Sequence, residues 1–295
     1  MSFKHYPMCG GNFFKWGFEE LGHEVYSVGY FSGDTVPWAG NPKFPNYVFP
    51  PDLALPDNPT FPLDKVLAEM PWEPDFIFQV DAGFHLTGQA KVPNALFATD
   101  PHFLDYTTQY NSVDYFFNPQ PSSFAKYPKG TFLPWAHDPN IHKPNSRLDK
   151  IYDIVFVGAL YENRQMALEE LSKICKVKQI KAGVIYDECT KLYNQGNISF
   201  NWSSNDDIPM RVFEGMAYGN LVVSNRLTGM DLLFREGKHY VGYSDIPELL
   251  DKVKYYLANP DAMFKVSDKG YVESEKHTYK IRCQEVIKKI FGSLW

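Results

Sequence analysis

The sequence predicts an α/β protein built from two Rossmann-like domains. Three observations lead there. Short apolar runs alternate with helical patterns along the chain. The runs lack polar alternation, as strands buried on both faces of a parallel sheet do. One proline-rich stretch, Leu133 to Lys150, separates an earlier set of runs from a later set. A length of 295 residues suits two domains of ordinary size, and 44% hydrophobic with 22% charged residues marks a globular chain.

In order, the first half carries strand-like runs at Glu24–Val28, Phe76–Val80, Ala95–Ala98 and Asp114–Phe117. The second half carries Ile154–Val157, Lys178–Ala182, Ile198–Trp202, Leu221–Ser224 and Tyr240–Tyr243. Between them lie helical faces: Ala167, Leu171 and Ile174; Met210, Phe213 and Ala217; Ile246, Leu249 and Val253. Two more helical patterns follow Pro260, the last at Tyr279–Phe291. The stretch Phe31 to Pro62, rich in Pro, Asn, Gly and aromatics, reads as an irregular excursion over a binding cleft. Strand–helix alternation of this kind argues for doubly wound sheets.

Charge is split unevenly. Residues 1 to 140 hold seven Lys and 15 acidic residues, a formal −8, with no Arg before Arg147; the remainder is +2 and the whole chain −6. An acidic half without arginine disfavours a phosphate backbone and suits a neutral partner. The four cysteines, Cys9, Cys175, Cys189 and Cys283, are scattered without a C-x-x-C pair, against both zinc and disulfide frameworks. No basic-then-apolar leader and no membrane-length apolar run is present, so a cytoplasmic location is expected.

The most informative segment is Asn205 to Gly219. A strand precedes it, Pro209 suits a first helical turn, and Asp207 or a neighbour is expected to cap. Met210, Phe213 and Ala217 point one way, while Arg211 and Glu214, three apart, share another face. Strand, polar loop and helix N-terminus make an anion site, because the free amides there point at a phosphate. Arg211 adds a fork-shaped cation suited to diphosphate. Glu214 can accept two hydrogen bonds, as ribose hydroxyls require. Each has a blander reading: a solvated helix glutamate, and an arginine in a surface ion pair.

At these residues the sequence resembles the CgeB-like (spore maturation) glycosyltransferases, relatives of the family 4 retaining glycosyltransferases with the GT-B fold. Their signature is an acid, seven residues, then Glu followed by small residues and Gly; here Asp206 stands at the first acid and Glu214 at the second. Asp replaces the usual Glu at 206. Arg211 stands where many family 4 members are apolar, and matches the CgeB-like branch. Asp153-Ile-Val-Phe-Val-Gly158 with Arg164 looks like the first strand and loop of the nucleotide-binding domain. Leu133 to His142 looks like the interdomain segment, Ala98-Thr-Asp-Pro-His102 like the turn facing the cleft, and Gly10-Gly11 like the loop nearing the donor phosphates.

The resemblance implies two Rossmann-like domains facing across a cleft, 1–145 for the acceptor and 146–276 for the nucleotide-sugar, with a last helix over about 277–295 returning to the first. It implies transfer from a nucleoside-diphosphate sugar, a UDP-sugar foremost, to an acceptor hydroxyl, with retention and without a required metal or other cofactor. Donor-binding candidates are Glu214, Arg211, Arg164, Asp206, Met210, Gly158, Gly11 and Gly10; catalytic candidates are His102, Asp100 and Asp81, with His85 beside them. A glycan, protein or small molecule is the expected acceptor. Two alternatives stay open: a DNA-modifying glycosyltransferase acting on hydroxymethylated bases, and a nucleotide-sugar epimerase or binding protein of the same fold. Trp135 and His137 read as packing, and no third ligand joins His137 and His142 for a metal. Rival motifs are absent: no D-x-D, no G-x-G, no phosphate-loop lysine and no G-x-S-x-G.

Overall fold

The computed structural model describes residues 1–292 except Ala82, Ala182 and Gly183, and all of Trp38 but its side chain. The chain divides into two compact units, Met1–Pro134 with Tyr279–Trp295, and Trp135–Thr278.

In the first unit the secondary structure runs α1 (Gly10–Glu20), β1 (Val28–Tyr30), β2 (Leu53–Leu55), β3 (Thr60–Pro62), α2 (Leu63–Glu69), β4 (Ile77–Asp81), β5 (His85–Thr87), β6 (Asn94–Ala98), α3 (Thr107–Ser112), β7 (Tyr115–Asn118) and β8 (Thr131–Phe132). Strands β4, β6, β7 and β8 form a parallel sheet in that order, and β1 pairs in parallel with β2. The extended N-terminal residues join the two pieces. Ser2 bridges both Val28 and Gln79, and the amide of Phe3 donates to Val28 O at 3.1 Å. The spatial order is therefore β2, β1, Ser2–His5, β4, β6, β7, β8. Successive strands are added first on one side of Ser2–His5 and then on the other, which places a topological switch point between that segment and β4.

The second unit runs β9 (Tyr152–Val157), α4 (Glu162–Ser172), β10 (Val177–Ile180), α5 (Tyr186–Asn194), β11 (Gly196–Asn201), α6 (Met210–Ala217), β12 (Leu221–Asn225), β13 (Val241–Tyr243), α7 (Ile246–Ala258) and α8 (Pro260–Ser274). Its five strands are all parallel, in the order β10-β9-β11-β12-β13. The switch point here lies between β9 and β11. The strands bury Ile154, Phe156, Ile198, Phe200, Leu221 and Val223 against Leu168, Leu171, Leu249 and Val253 of the helices. Apolar residues at nearly every strand position are what burial on both faces demands.

Several expectations shift. The first strand is Val28–Tyr30 rather than Glu24–Val28, because pairing with Ser2–His5 begins at Val28. Ser2–His5, short and half polar, carries no strand signal yet bridges the sheet. The stretch Phe31–Pro62 is not wholly irregular: it supplies β2 as an edge strand, and β3. Ile174 lies beyond α4 and is 37% exposed, so it leaves the face of Ala167 and Leu171. The run to Ala182 ends as a strand at Ile180, and Ala182 itself falls outside the described residues. Residues from Trp135 to Lys150, expected as a link, lie with the second unit. Asn194 Nδ2 donates to Lys143 O at 3.0 Å, and the Asn145 amide to Asn194 Oδ1 at 2.6 Å. His137 is buried there, and its amide donates to His277 O at 3.1 Å.

The last helix, α9 (Tyr279–Phe291), belongs to the first unit. Tyr279 stacks on Phe13 at 5.0 Å, and Arg282 Nε donates to Pro134 O at 3.0 Å. Gly17 of α1 makes the approach of α9 possible: a Cβ there would stand 2.9 Å from Cys283 Sγ and 3.0 Å from Tyr279 O. Gly17→Val is therefore expected to destabilise the protein by roughly 2 kcal/mol through overpacking. Chemical denaturation reads this directly, and an unchanged midpoint would contradict the α1–α9 contact.

Candidate functional site

The candidate residues of the second unit gather at its switch point. Strand β9 ends at Val157, and Gly158 follows with φ 147°. Arg211, in the first turn of α6, reaches back to this strand end. Its Nε donates to Val157 O at 3.1 Å and its Nη1 to Asn201 Oδ1 at 3.0 Å, while the guanidinium lies over the Phe156 ring at 4.7 Å. A Cβ on Gly158 would stand 2.5 Å from Arg211 Nη2, so only glycine leaves room for that cation.

Asn201 is held in turn, its Nδ2 donating to Ser224 Oγ at 2.9 Å and its carbonyl accepting from Tyr243 OH at 2.6 Å. The loop from β11 to α6 is tied by Ser203 and Asn225, whose backbone and side chain exchange hydrogen bonds at 2.8 and 2.9 Å.

Glu214 lies one turn along α6, partly buried. Burial pushes its carboxyl up to about 7, opposed by the positive charge of Arg211. His142 Nε2 stands 3.6 Å from Glu214 Oε1. The arrangement offers a fixed cation and a carboxylate on one helix face at the carboxyl ends of parallel strands, where α/β proteins bind ligands.

Two expectations change at this site. Arg164 is buried, and its Nε, Nη1 and Nη2 all donate to carbonyl oxygens of Trp202 and Ala159. It braces the loop after β9 against the end of β11 and is committed there, not held ready for a phosphate. Asp207 does not cap α6: Ser203 Oγ donates to its carboxylate, its own amide donates back at 2.9 Å, and among the described residues no side chain caps the helix, whose N-cap is Pro209. That leaves the first-turn amides of α6 uncapped by the chain's own side chains. Asp206 adopts φ 54°, and its Oδ1 accepts from the Thr228 amide at 2.8 Å, which ties the loop to the segment after β12. Met210 opens α6 and is half-buried.

In the first unit Asp81 ends β4 and is buried. Its Oδ1 accepts from the amides of Gly83 and Phe84 at 2.6 and 3.0 Å, and its Oδ2 lies 3.5 Å from His85 Nδ1. Burial raises its carboxyl above the usual range, against the pull of His85. Thr99 Oγ1 joins the strand ends, bonding Asp81 O at 2.6 Å and Asp100 Oδ2 at 2.9 Å. Asp100 is exposed; His102 is half-buried, with a buried Nδ1 that has no hydrogen-bond partner among the described residues. Gly11 packs rather than opens a loop: a Cβ there would fall 2.3 Å from the Phe3 ring. Its amide donates to Cys9 Sγ at 3.4 Å, and Gly10 is the first residue of α1.

The sequence reading missed Asn201, Phe156, Thr99, Tyr106 and Gln109. Tyr106 OH donates to Asp81 O at 2.9 Å, and Gln109 Nε2 is 3.3 Å from His85 Nδ1. Strand-end position was the one signal that could have found Asn201 and Thr99. Among the described residues no three His, Cys, Asp or Glu converge on a metal position, and no helix is long and apolar enough to cross a membrane.

The raised carboxyl of Glu214 has a consequence for stability. The folded protein holds this proton more tightly than the unfolded chain, so the contribution is complete below about 4.3 and is lost as pH rises through about 7. Glu214→Gln is expected to be more stable than the parent by about 2 kcal/mol at pH 8. The advantage should shrink toward pH 5. Denaturation at the two pH values measures it, and a gap that does not change with pH would refute the buried carboxyl.

Comparison with known proteins gives a family and a fold. A family model described as "Glycosyl transferase-like" matches residues 140–288. The sucrose-phosphate synthase of Thermosynechococcus elongatus has a TM-score of 0.63 at 10% identity, with 98% of this chain and 96% of that chain covered. The Anabaena protein Alr3699/HepE, in complex with UDP and glucose, has a TM-score of 0.55 at 11% identity, covering 74% of this chain and 78% of that one. At such identities the likeness is one of fold, the GT-B fold with its Rossmann-like units. No curated protein matches the chain. The matched span covers just over half of the sequence and holds β9–β13, Arg211 and Glu214, and the chain belongs to the glycosyl transferase-like family.

Proposed function

We propose that this protein moves a sugar from a UDP-sugar to an acceptor hydroxyl, with retention of configuration and without a required metal, as a member of the CgeB-like branch working in the cytoplasm. The observation that carries the reading is the shared face of Arg211 and Glu214 at the switch point of the second unit. The complexes of Alr3699/HepE with UDP, and with UDP-glucose, support the choice of donor. Arg211 in place of an apolar residue supports the branch.

In this reading Glu214 accepts the two ribose hydroxyls, and Arg211 with the uncapped amides of α6 takes the diphosphate over Gly158. Met210 and Asp206 border the sugar. Charge developing on the leaving diphosphate is stabilised by the fixed cation and amides, which need no reorganisation as the reaction proceeds. The bond from the anomeric carbon to the β-phosphate oxygen breaks, the acceptor oxygen bonds the same face, and the leaving phosphate takes the acceptor proton. Asp81, Asp100 and His102 form the acceptor side in the first unit, while Gly10 and Gly11, expected to approach the donor phosphates, lie in the first turn of α1. The −8 charge of residues 1–140 favours a neutral glycan, protein or small molecule over DNA.

Glu214→Ala is expected to lower transfer from UDP-glucose by at least about 100-fold while the circular dichroism spectrum and thermal midpoint stay near those of the parent. Activity retained in that variant would sink the site assignment. Arg211→Lys keeps the charge and loses the fork; a roughly 10-fold or larger drop in kcat is expected. A kcat equal to the parent's would remove Arg211 from the diphosphate.

A further inference from the structure

His142 has no part in the reading above, yet its ring is held with unusual care. It is 7% exposed. The Asp138 amide donates to its Nδ1 at 3.0 Å. A ring nitrogen that accepts carries no proton, so the neutral ring bears its proton on Nε2. Burial, and next the neighbouring His137, bring its pKa down to about 3, which keeps the ring neutral. The edge of Tyr218 meets it at 5.7 Å and 78°. Thr190 of α5 holds the adjoining backbone, its Oγ1 3.1 Å from Ile141 O and 3.2 Å from the Tyr218 hydroxyl. The proton-bearing Nε2 is thereby aimed at Glu214 Oε1, 3.6 Å away.

We propose that His142 is a positioning residue for the donor: its Nε2–H steers one oxygen of Glu214 so that the rest of the carboxylate meets the ribose hydroxyls of a nucleoside diphosphate. The proposal rests on the assignment of Glu214 to the ribose. A neutral N–H suits the task better than a cation would. A buried imidazolium would pair with the carboxylate and compete with the diol, whereas a neutral donor orients one lone pair and leaves the negative charge for the ligand. The separation of 3.6 Å exceeds a made hydrogen bond, and such contacts commonly tighten when the ligand arrives.

The ionisable groups facing Glu214 are Arg211 on α6, His142, Cys189 and Tyr193 on α5, and Tyr218 after α6. Burial raises Cys189, Tyr193 and Tyr218, so they stay neutral, and Arg211 supplies the charge.

The test is UDP binding to the full chain by titration calorimetry between about pH 5.5 and 8.5, with His142→Phe, His142→Gln, Glu214→Gln and the double variant His142→Phe/Glu214→Gln. Affinity should fall as pH drops through the Glu214 titration. His142→Phe should weaken UDP about tenfold at pH 7.5, the scale of one hydrogen bond to a charged group, and move the midpoint upward. His142→Gln, which can offer an amide N–H, should recover most of the loss. In the Glu214→Gln background, His142→Phe should change UDP affinity little. An equal loss in both backgrounds means packing alone and overturns the proposal, as does no loss in either. Difference infrared titration of the Glu214 carboxyl without UDP decides the pairing independently: its midpoint should rise in His142→Phe, and an unchanged midpoint overturns the proposal. Should Glu214→Gln bind UDP as the parent does, the ribose assignment fails instead, and the infrared result still decides whether His142 holds the carboxyl.

Discussion

Arg211 threads its guanidinium from the start of α6 to the end of β9, and the second unit's candidate site is organised around that crossing. One side chain joins the carbonyl of Val157, the amide oxygen of Asn201 and the face of Phe156. It therefore fixes two strand ends and a helix start relative to one another. A cation sitting there would be costly without partners, and each contact lowers that cost. Its partners are themselves held: Asn201 by Ser224 and Tyr243, and the neighbouring loop by Ser203 and Asn225. Such an assembly presents positive charge in a geometry that a ligand need not create.

The two arginines of the site divide the labour. Both stack on Phe156, at 4.7 and 5.2 Å, and the charge of Arg211 raises the electrostatic cost of Arg164. Arg164 spends its donors on backbone carbonyls and is pushed down to about 10 by burial and by Arg211. The two side chains are chemically alike, and only the partners each has found tell them apart.

That distinction explains how far the sequence could be read. The strands of the second unit were legible because burial on both faces leaves almost unbroken apolar runs, as in Ile154–Val157 and Leu221–Ser224. That Arg211 and Glu214 share one face of α6 was legible because helical spacing dictates it. Arg164 was not, since its role depends on where the carbonyl of Trp202 falls, 38 residues away. Ser2–His5 was not, because its isolated bridges complete a sheet only once β1 and β4 are in place. Asp81 showed as a polar residue at a strand end, but Thr99 and Tyr106, which clasp its carbonyl, come from other segments. Local periodicity reports burial; it does not report which distant carbonyl a donor will meet.

Gly158 illustrates what such crowding means for the site's freedom to vary. The position directly above it belongs to Arg211 Nη2. A side chain at 158 and the arginine at 211 are mutually exclusive occupants of one small volume, 53 residues apart in sequence. Neither can change alone without either a collision or a void. A protein engineer altering either would have to treat the two positions as a single choice.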